Sequence, residues 1–241
     1  MTVMLDRWID RAGLRRVVDG ARERLGIDLR PHERWLRNMR FRTVLDVGAN
    51  TGQFVGEARK IAPDAFIYSF EPLRDCYEAL CAQQRGDARF KAFHVALGDE
   101  AGEVTMHRND YSQSSSLLPM AELHKTAFPE TRHSSPETVK VRRLDDMAAE
   151  LRIERPMLLK IDVQGFEAKV IAGAGELLRQ ADVIIVETGV EALYEGQALF
   201  DDVYRMLYER GFRYRGNHNQ LHSPHDGRVL QADAFFTPAG A

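Results

Sequence analysis

The chain has 241 residues, of which 44% are hydrophobic and 29% charged, and its formal net charge is −3. This length allows one α/β domain with a sizeable core and is short for two, and the composition is that of an ordinary soluble globular protein. No run of about 18 apolar residues occurs, so the sequence predicts no transmembrane helix.

The first residues and the cysteines indicate the cellular compartment in which the protein is expected. Asp6 and Asp10 interrupt the apolar character of residues 1–11, so we expect no secretory signal. Only two cysteines are present, Cys76 and Cys81, and they are too few to complete a zinc site. We interpret them as reduced thiols, and together these features predict a cytoplasmic protein.

Residues 1–40 are predicted to form an N-terminal helical extension. The apolar spacing over residues 4–25 indicates an amphipathic helix, and a second short helix is expected from Pro31 to about Met39. Residues 1–42 hold eleven arginines and six acids, so the rest of the chain carries the acidic surplus. We expect a contact with the domain or a homodimer partner; peripheral membrane contact is the alternative, and nucleic acid binding is not expected.

Residues 41–241 are predicted to form the main domain, in which apolar strands alternate with helices. This order is typical of a parallel sheet covered by helices on both faces. The predicted strands are 43–47, 66–70, 89–97, 103–107, 138–142, 157–161, 182–187, 212–215 and 229–237. One predicted helix follows the first strand and its turn and ends near residue 61. The other predicted helices cover 73–85, 144–151, 164–178 and 199–210. The polar stretch 108–137 lacks a period and is either an acceptor-binding lid or a variable surface loop.

A glycine-rich turn, residues 48–52, follows the first strand of this domain. Such a turn lets the backbone approach a ligand closely. Asn50 interrupts the glycine pattern of a dinucleotide site, and Gln53 replaces the lysine of a phosphate loop. The nearby Asp46 would oppose a polyphosphate but suits the ammonium group of an amino acid. The turn therefore favours S-adenosylmethionine over NAD or ATP.

A second acidic residue, Glu71, ends the second predicted strand. A carboxylate at this place accepts hydrogen bonds from the hydroxyls of a ribose. The alternative is a solvated acid at a strand end. Combined with the turn after the first strand, Glu71 indicates a cofactor that contains adenosine.

Several stretches between about residues 43 and 188 follow one pattern. They are Asp46–Gly52, Phe70–Pro72, Val95–Asp99 followed by Gly102, Arg143–Asp145 and Leu158–Glu167. With these stretches the chain resembles the FkbM family of S-adenosylmethionine-dependent methyltransferases. The family pattern often has glutamate where this chain has Gln164.

This resemblance implies a Rossmann-like class I methyltransferase fold: a seven-stranded, mostly parallel sheet with an antiparallel last strand and helices on both faces. It also implies methyl transfer to a hydroxyl group of a sugar, glycan, lipid or other small metabolite. Carried over by position, the cofactor-binding residues are Gly48, Asn50 and Gly52 at the methionine part, Asp46 at the amino group, Glu71 at the ribose, and the backbone of Ala96 and Leu97 beside the adenine.

Asp162 is the candidate catalytic residue, because it ends the apolar strand 157–161 and would lie beside the transferred methyl. Asp162 could instead cap a helix that begins near Gln164, and both roles are compatible. Lys160 and Glu187 lie at or near strand ends on the same rim and are secondary candidates.

Three histidines, His218, His222 and His225, lie between the last two predicted strands. They would touch the acceptor if the preceding strand is parallel to the core, although the composition is that of an ordinary hairpin loop. Asp162 and Asp145 would assist a divalent cation, but their spacing demands none, and we predict no metal site.

Three other functions remain as alternatives. A Rossmann NAD-dependent oxidoreductase is disfavoured by the missing third glycine of the turn. A binding module that has lost catalysis is disfavoured by the intact Asp46–Gly52 and Lys160–Glu167 stretches. Nucleic-acid methylation is disfavoured by the acidic body and by the absence of an Asn-Pro-Pro-Tyr motif.

Overall fold

The computed structural model describes residues 31–240. These residues belong to two units, which divide between Met39 and Arg40. The first unit contributes one described helix, α1 (Pro31–Asn38), as the sequence predicts. The amphipathic helix predicted over residues 4–25 lies outside the described residues. Within residues 31–240, no helix has both the length and the apolar character needed to cross a membrane.

The second unit consists of alternating strands and helices. Its described strands are β1 (Thr43–Val47), β2 (Phe66–Phe70), β3 (Phe90–Phe93), β4 (Ala96–Leu97), β5 (Gly102–Asn109), β6 (Ser134–Arg142), β7 (Met157–Ile161), β8 (Val183–Gly189), β9 (Phe212–His222) and β10 (Val229–Pro238). Its described helices are α2 (Gln53–Ile61), α3 (Arg74–Gln83), α4 (Glu122–Ala127), α5 (Glu167–Ala172), α6 (Gly175–Leu178) and α7 (Phe200–Glu209).

The main sheet has seven strands in the order β3-β2-β1-β7-β8-β10-β9. Neighbouring strands from β3 to β8 are parallel, and β10 is antiparallel to both β8 and β9. The predicted class I methyltransferase sheet is therefore confirmed, with β10 as its antiparallel last strand. Since β9 runs parallel to the core strands, the loop between β9 and β10 opens at the carboxyl end of the sheet.

The core lies on the two faces of the central strands. Every residue of β1 and β7 is buried, which explains why these segments read as continuous apolar runs. Helix α2 covers the sheet with Val55, Ala58 and Ile61, three residues apart on one helical face. The polar residues of β1 and β7 are therefore exceptions inside an apolar layer.

A second sheet of three strands, in the order β4-β6-β5, stands beside the main one. The single strand predicted over 89–97 is wrong, because the chain changes sheets within it. The backbone N–H of Val95 donates to the carbonyl oxygen of Glu71, after which Ala96 and Leu97 pair with β6. Both halves are apolar, so the apolar pattern contains no sign of this change.

The single helix predicted over 164–178 is also wrong. Helix α5 begins only at Glu167, and the chain turns at Gly173, where an added Cβ would lie 1.9 Å from the carbonyl oxygen of Gly98. Asp145 then accepts the backbone N–H groups of Glu176 and Leu177 and caps α6. This carboxylate is used in capping, and the segment after Leu144 is a 3-10 helix, not an α-helix.

The stretch 108–137, predicted to lack regular structure, is folded. It contains α4, two 3-10 helices, the end of β5 and the start of β6. Buried Ala127 of α4 belongs to an apolar cluster with Leu193, Tyr194 and Leu230. Strand β9 is likewise longer than the predicted 212–215, because its polar side chains suit an exposed edge strand paired only with β10.

Candidate active site

The turn of residues 48–52 lies at the carboxyl end of β1. The backbone N–H groups of Gly48 and Ala49 both donate to the carbonyl oxygen of Phe70, which joins the turn to the end of β2. Gly48 has a φ of 79°, and a Cβ there would lie 1.8 Å from the carbonyl oxygen of Asp162. Only glycine permits this contact, so the turn and the end of β7 form one rim.

Asn50 lies at the middle of this turn in the left-handed region, with a φ of 48°. Its side-chain oxygen accepts the backbone N–H of Thr51 at 2.9 Å, and its Nδ2 donates to Oγ of Ser112 at 3.1 Å. Asn50 therefore stabilises its own turn and connects it to the segment that follows β5.

The carboxylate of Glu71 lies under the same turn. Its two oxygens accept the backbone N–H groups of Asn50 and Leu73, each at 2.8 Å. Burial raises the pKa of Glu71 to about 7, although both N–H groups favour the charged form. Each carboxylate oxygen keeps a further lone pair, so the arrangement fits the two hydroxyls of a ribose.

A buried lysine connects β1 and β7. Lys160 is in register with Asp46 of the neighbouring strand, and its Nζ lies 3.5 Å from Oδ1 of Asp46 and 3.3 Å from Oδ2 of Asp162. Burial disfavours its charge, but the carboxylates of Asp162 and Asp46 raise the pKa of Lys160 above its usual value. Lys160 is therefore a cation shared by two acids.

Asp46 is fully buried, and its Oδ2 accepts from the hydroxyl of Ser69 at 3.3 Å. Its Oδ1 makes no hydrogen bond beside the ion pair with Lys160. The predicted contact of Asp46 with the amino group of a cofactor stays a prediction. In the structure, the surroundings of this carboxylate are those of an acid that holds Lys160 in place.

Asp162 directly follows β7, and its side chain is 32% exposed, whereas that of Asp46 is 0% exposed. Its Oδ1 accepts from Nε2 of Gln164 at 2.9 Å. The interpretation of Asp162 as the cap of a helix that begins near Gln164 is wrong, because α5 begins only at Glu167 and the N–H groups of Val163 and Gly165 donate to Oε1 of Glu167. The carboxylate of Asp162 thus faces the rim.

Gln164 makes a second contact with its Nε2, which donates to Oε2 of Glu187 at 2.8 Å. Burial, followed by the charge of Asp162, raises the pKa of Glu187 well above its usual value. Glu187 is paired in register with Asp233 of β10, whose pKa burial raises to about 6. Lys160 and Glu187, predicted to share the rim with Asp162, do so.

Ala96 and Leu97 are buried, at 7% and 2% exposure, and pair with Val141 and Arg142 of β6. They follow Val95, whose N–H is bonded to the carbonyl oxygen of Glu71, so they lie next to the end of β2. Their predicted contact with the adenine stays a prediction.

The three histidines have separate surroundings. The ring of His218 packs edge-on against Phe235, and Nδ1 of His222 lies 2.8 Å from the carbonyl oxygen of Gly227. Nε2 of His225 lies 3.2 Å from the carbonyl oxygen of Thr126 in α4. Among the described residues, no group of three histidine, cysteine or acidic side chains is arranged to hold a metal ion.

Two residues of this site were missed in the sequence. Tyr194, fully buried in the loop after β8, donates from its hydroxyl to Oε1 of Gln164 at 2.8 Å. Asp233 lies in the middle of β10 and accepts from Asn219 at 3.2 Å. Pairing of β8 with β10 would have located Asp233, but no local pattern indicates Tyr194.

Residues 46–214 match the family described as "Methyltransferase FkbM domain". The chain belongs to the FkbM methyltransferase family. It is accordingly an S-adenosylmethionine-dependent methyltransferase, and the NAD-dependent oxidoreductase alternative is set aside.

Among the curated relatives is "2-O-methyltransferase NoeI" of Sinorhizobium fredii, 32% identical over 161 residues, or 64% of this chain and 66% of that protein. Another is "31-O-demethyl-FK506 methyltransferase FkbM" of Streptomyces tacrolimicus, 29% identical over 212 residues, or 78% of this chain and 76% of that one. A solved magnesium protoporphyrin IX methyltransferase from Synechocystis PCC 6803 aligns over 98% of this chain and 91% of its own, with 13% identity and a TM-score of 0.47.

Proposed function

We propose that this FkbM-family protein transfers a methyl group from S-adenosylmethionine to a hydroxyl oxygen of a small molecule. The observation that carries the proposal is the carboxylate of Asp162, partly exposed on the rim that also holds the turn of residues 48–52. The names of the NoeI and FkbM relatives both specify transfer to oxygen, which supports this acceptor atom.

The cofactor would lie along the carboxyl ends of β1 and β2. In this placement Gly48, Asn50 and Gly52 line its methionine part and Glu71 accepts from its ribose, with Asp46 behind the turn. The backbone of Ala96 and Leu97 borders the adenine. The free lone pairs of Glu71 support this assignment.

Bound S-adenosylmethionine supplies an electrophilic methyl group on a sulfonium centre. The protein has to hold the acceptor oxygen in line with that methyl and to remove one proton, while the new C–O bond would form, the methyl–sulfur bond would break and S-adenosylhomocysteine would leave. Asp162 is the base assigned to this proton, since its carboxylate is the open acid at the end of β7.

The neighbours of Asp162 suit this role. Lys160 forms an ion pair with Oδ2, and Gln164 donates a hydrogen bond to Oδ1. Both oxygens are therefore held in place while the side chain stays partly exposed. A carboxylate fixed in this way keeps one geometry towards the acceptor, and alignment supplies most of the rate in such a transfer.

The acceptor would enter between the turn, the segment after β5 and the loop between β9 and β10. Ser112 contacts Asn50, so the segment after β5 borders the rim, and the loop between β9 and β10 opens at the same end of the sheet. We propose a small metabolite or a glycan as acceptor, and no nucleic acid. Membrane contact or dimer formation through residues 1–30 stays a prediction, since these residues lie outside those described.

The test is methyl transfer from methyl-labelled S-adenosylmethionine to a panel of hydroxyl-bearing sugars, glycan fragments, lipids and polyketides. We expect the label in a methyl ether. Asp162→Asn should lose turnover, and the exposed control Asp64→Asn should keep the turnover of the wild type. Cofactor binding without turnover on any acceptor would favour a binding module instead. Label on nitrogen or carbon would reject the hydroxyl.

A further inference from the structure

Both the nitrogen and the oxygen of the Gln164 amide form side-chain hydrogen bonds. Its Nε2 donates to Asp162 at 2.9 Å and to Glu187 at 2.8 Å, so its two hydrogens each reach a different carboxyl group. Its Oε1 accepts the hydroxyl of Tyr194 at 2.8 Å. The amide therefore bridges the ends of β7 and β8.

Tyr194 decides which way this amide faces. The two ends of a glutamine amide have nearly the same shape, but turning it around would set its oxygen against two carboxyl groups. The hydroxyl of Tyr194 donates to the oxygen and leaves the nitrogen to the acids. A donor at this position therefore makes the productive orientation the stable one.

The position of Tyr194 is itself fixed. Its backbone N–H and that of Leu193 donate to Oε1 of Gln197, and its ring packs edge-on against His124. A Cβ at Gly165 would lie 3.0 Å from Cβ of Tyr194, so the turn at Gln164 fits directly against it. Gln164, with a φ of 55°, is held in a strained conformation by these contacts.

The same pair touches the segment that follows β5. Oγ of Ser116 donates to the carbonyl oxygen of Gln164 at 2.6 Å, and the hydroxyl of Tyr194 lies 3.2 Å from the carbonyl oxygen of Ser114. Two residues of this segment, placed beside the acceptor in the proposed function, thus contact the support of Asp162.

We propose that Gln164 and Tyr194 are positioning residues that hold Asp162 in the direction of the acceptor hydroxyl. This inference rests on the proposed function, in which Asp162 takes the proton. Gln164 restrains Asp162 directly, and Tyr194 acts through Gln164. Neither side chain exchanges a proton with the acceptor.

The test compares Gln164→Met and Tyr194→Phe with the wild type in kcat and in KM for S-adenosylmethionine. Methionine keeps the length of the side chain but cannot donate to Asp162, so for Gln164→Met we expect kcat to fall about tenfold or more with an unchanged KM. For Tyr194→Phe we also expect a lower kcat with an unchanged KM. Gln180→Met, on the surface, is the matched control and should keep the wild-type kcat.

A second measurement does not depend on turnover. The carboxyl carbon of Asp162 is observed by NMR in protein with 13C-labelled aspartate carboxyls. We expect its chemical shift to change in Gln164→Met, because the hydrogen bond from Nε2 of Gln164 is lost, and to stay unchanged in Gln180→Met. Failure of the wild type to methylate any hydroxyl would reject the proposed function, while this resonance decides on Gln164 by itself.

Two results would overturn the inference. One is a Gln164→Met variant with the wild-type kcat and an unchanged resonance of the Asp162 carboxyl. The other is a Tyr194→Phe variant whose kcat equals that of the wild type. Loss of cofactor affinity in step with turnover would also count against it, because a positioning residue for Asp162 leaves the cofactor site intact.

Discussion

The Nζ atom of Lys160 lies 3.3 Å from Oδ2 of Asp162, two residues further along the chain. Alternate residues of a strand point to the same side, so β7 itself brings this cation and this acid together. Asp46 reaches the same cation from β1. The partly exposed Asp162 thus shares its counter-ion with the fully buried Asp46.

Removal of the shared cation should destabilise the fold. In Lys160→Met, the carboxylate of Asp46 stays buried without its partner, and breaking a buried pair in this way costs about 3 to 5 kcal/mol. Denaturant unfolding measures this loss. The exposed Lys60→Met is the control. The double variant Asp46→Asn, Lys160→Met should recover part of the loss, and no recovery would contradict the pairing.

Asp162→Asn should abolish most turnover without lowering the affinity for S-adenosylmethionine. The amide keeps the shape of the carboxylate but is no base, and loss of a positioned base lowers the rate by about 100-fold or more. Single-turnover assays and titration with S-adenosylmethionine separate the two effects. A variant with more than half of the wild-type kcat would remove Asp162 from the role of base.

Glu71 should make stability depend on pH. Burial raises its pKa from 4.5 to about 7, so the folded state binds this proton more tightly than the unfolded chain does. The free energy of unfolding should therefore fall as the pH rises from about 4.5 to about 7 and change little through Glu71 above that. Glu71→Gln should flatten this slope. An equal slope in both proteins would show that Glu71 does not titrate as inferred.

The contact between the turn and β7 should tolerate no side chain at Gly48. A Cβ there would lie 1.8 Å from the carbonyl oxygen of Asp162, in a conformation with a positive φ. Gly48→Ala should cost more than about 2 kcal/mol, since strain and displacement add. In contrast, Gly56→Ala has open space in α2 and should stabilise by up to about 1 kcal/mol. Thermal unfolding of the pair checks both signs.

The sheet could be predicted because its central strands are buried on both faces. β1, β2, β7 and β8 are short apolar runs separated by helical segments, and that pattern has few other solutions. The change of sheets at Val95 could not be predicted, since β3 and β4 are both apolar. The folded stretch 108–137 was missed because its apolar side chains follow no single period.

The candidate site was predictable to the extent that it lies at strand ends. Asp46, Glu71 and Asp162 are acids at or beside the ends of apolar strands, and an acid there stands out. Gln164 drew notice only as a departure from the family pattern. Tyr194 reaches it across 30 positions of sequence through a loop that has no local signature.

The most direct test of the central claim is calorimetric titration with S-adenosylmethionine, S-adenosylhomocysteine and NAD, on the wild type and on Glu71→Ala. We predict binding of the first two at about micromolar Kd, weakened about tenfold or more in the variant, and no binding of NAD. Equal affinity of wild type and variant for S-adenosylmethionine would contradict the proposed cofactor site. Binding of NAD alone would contradict the function itself.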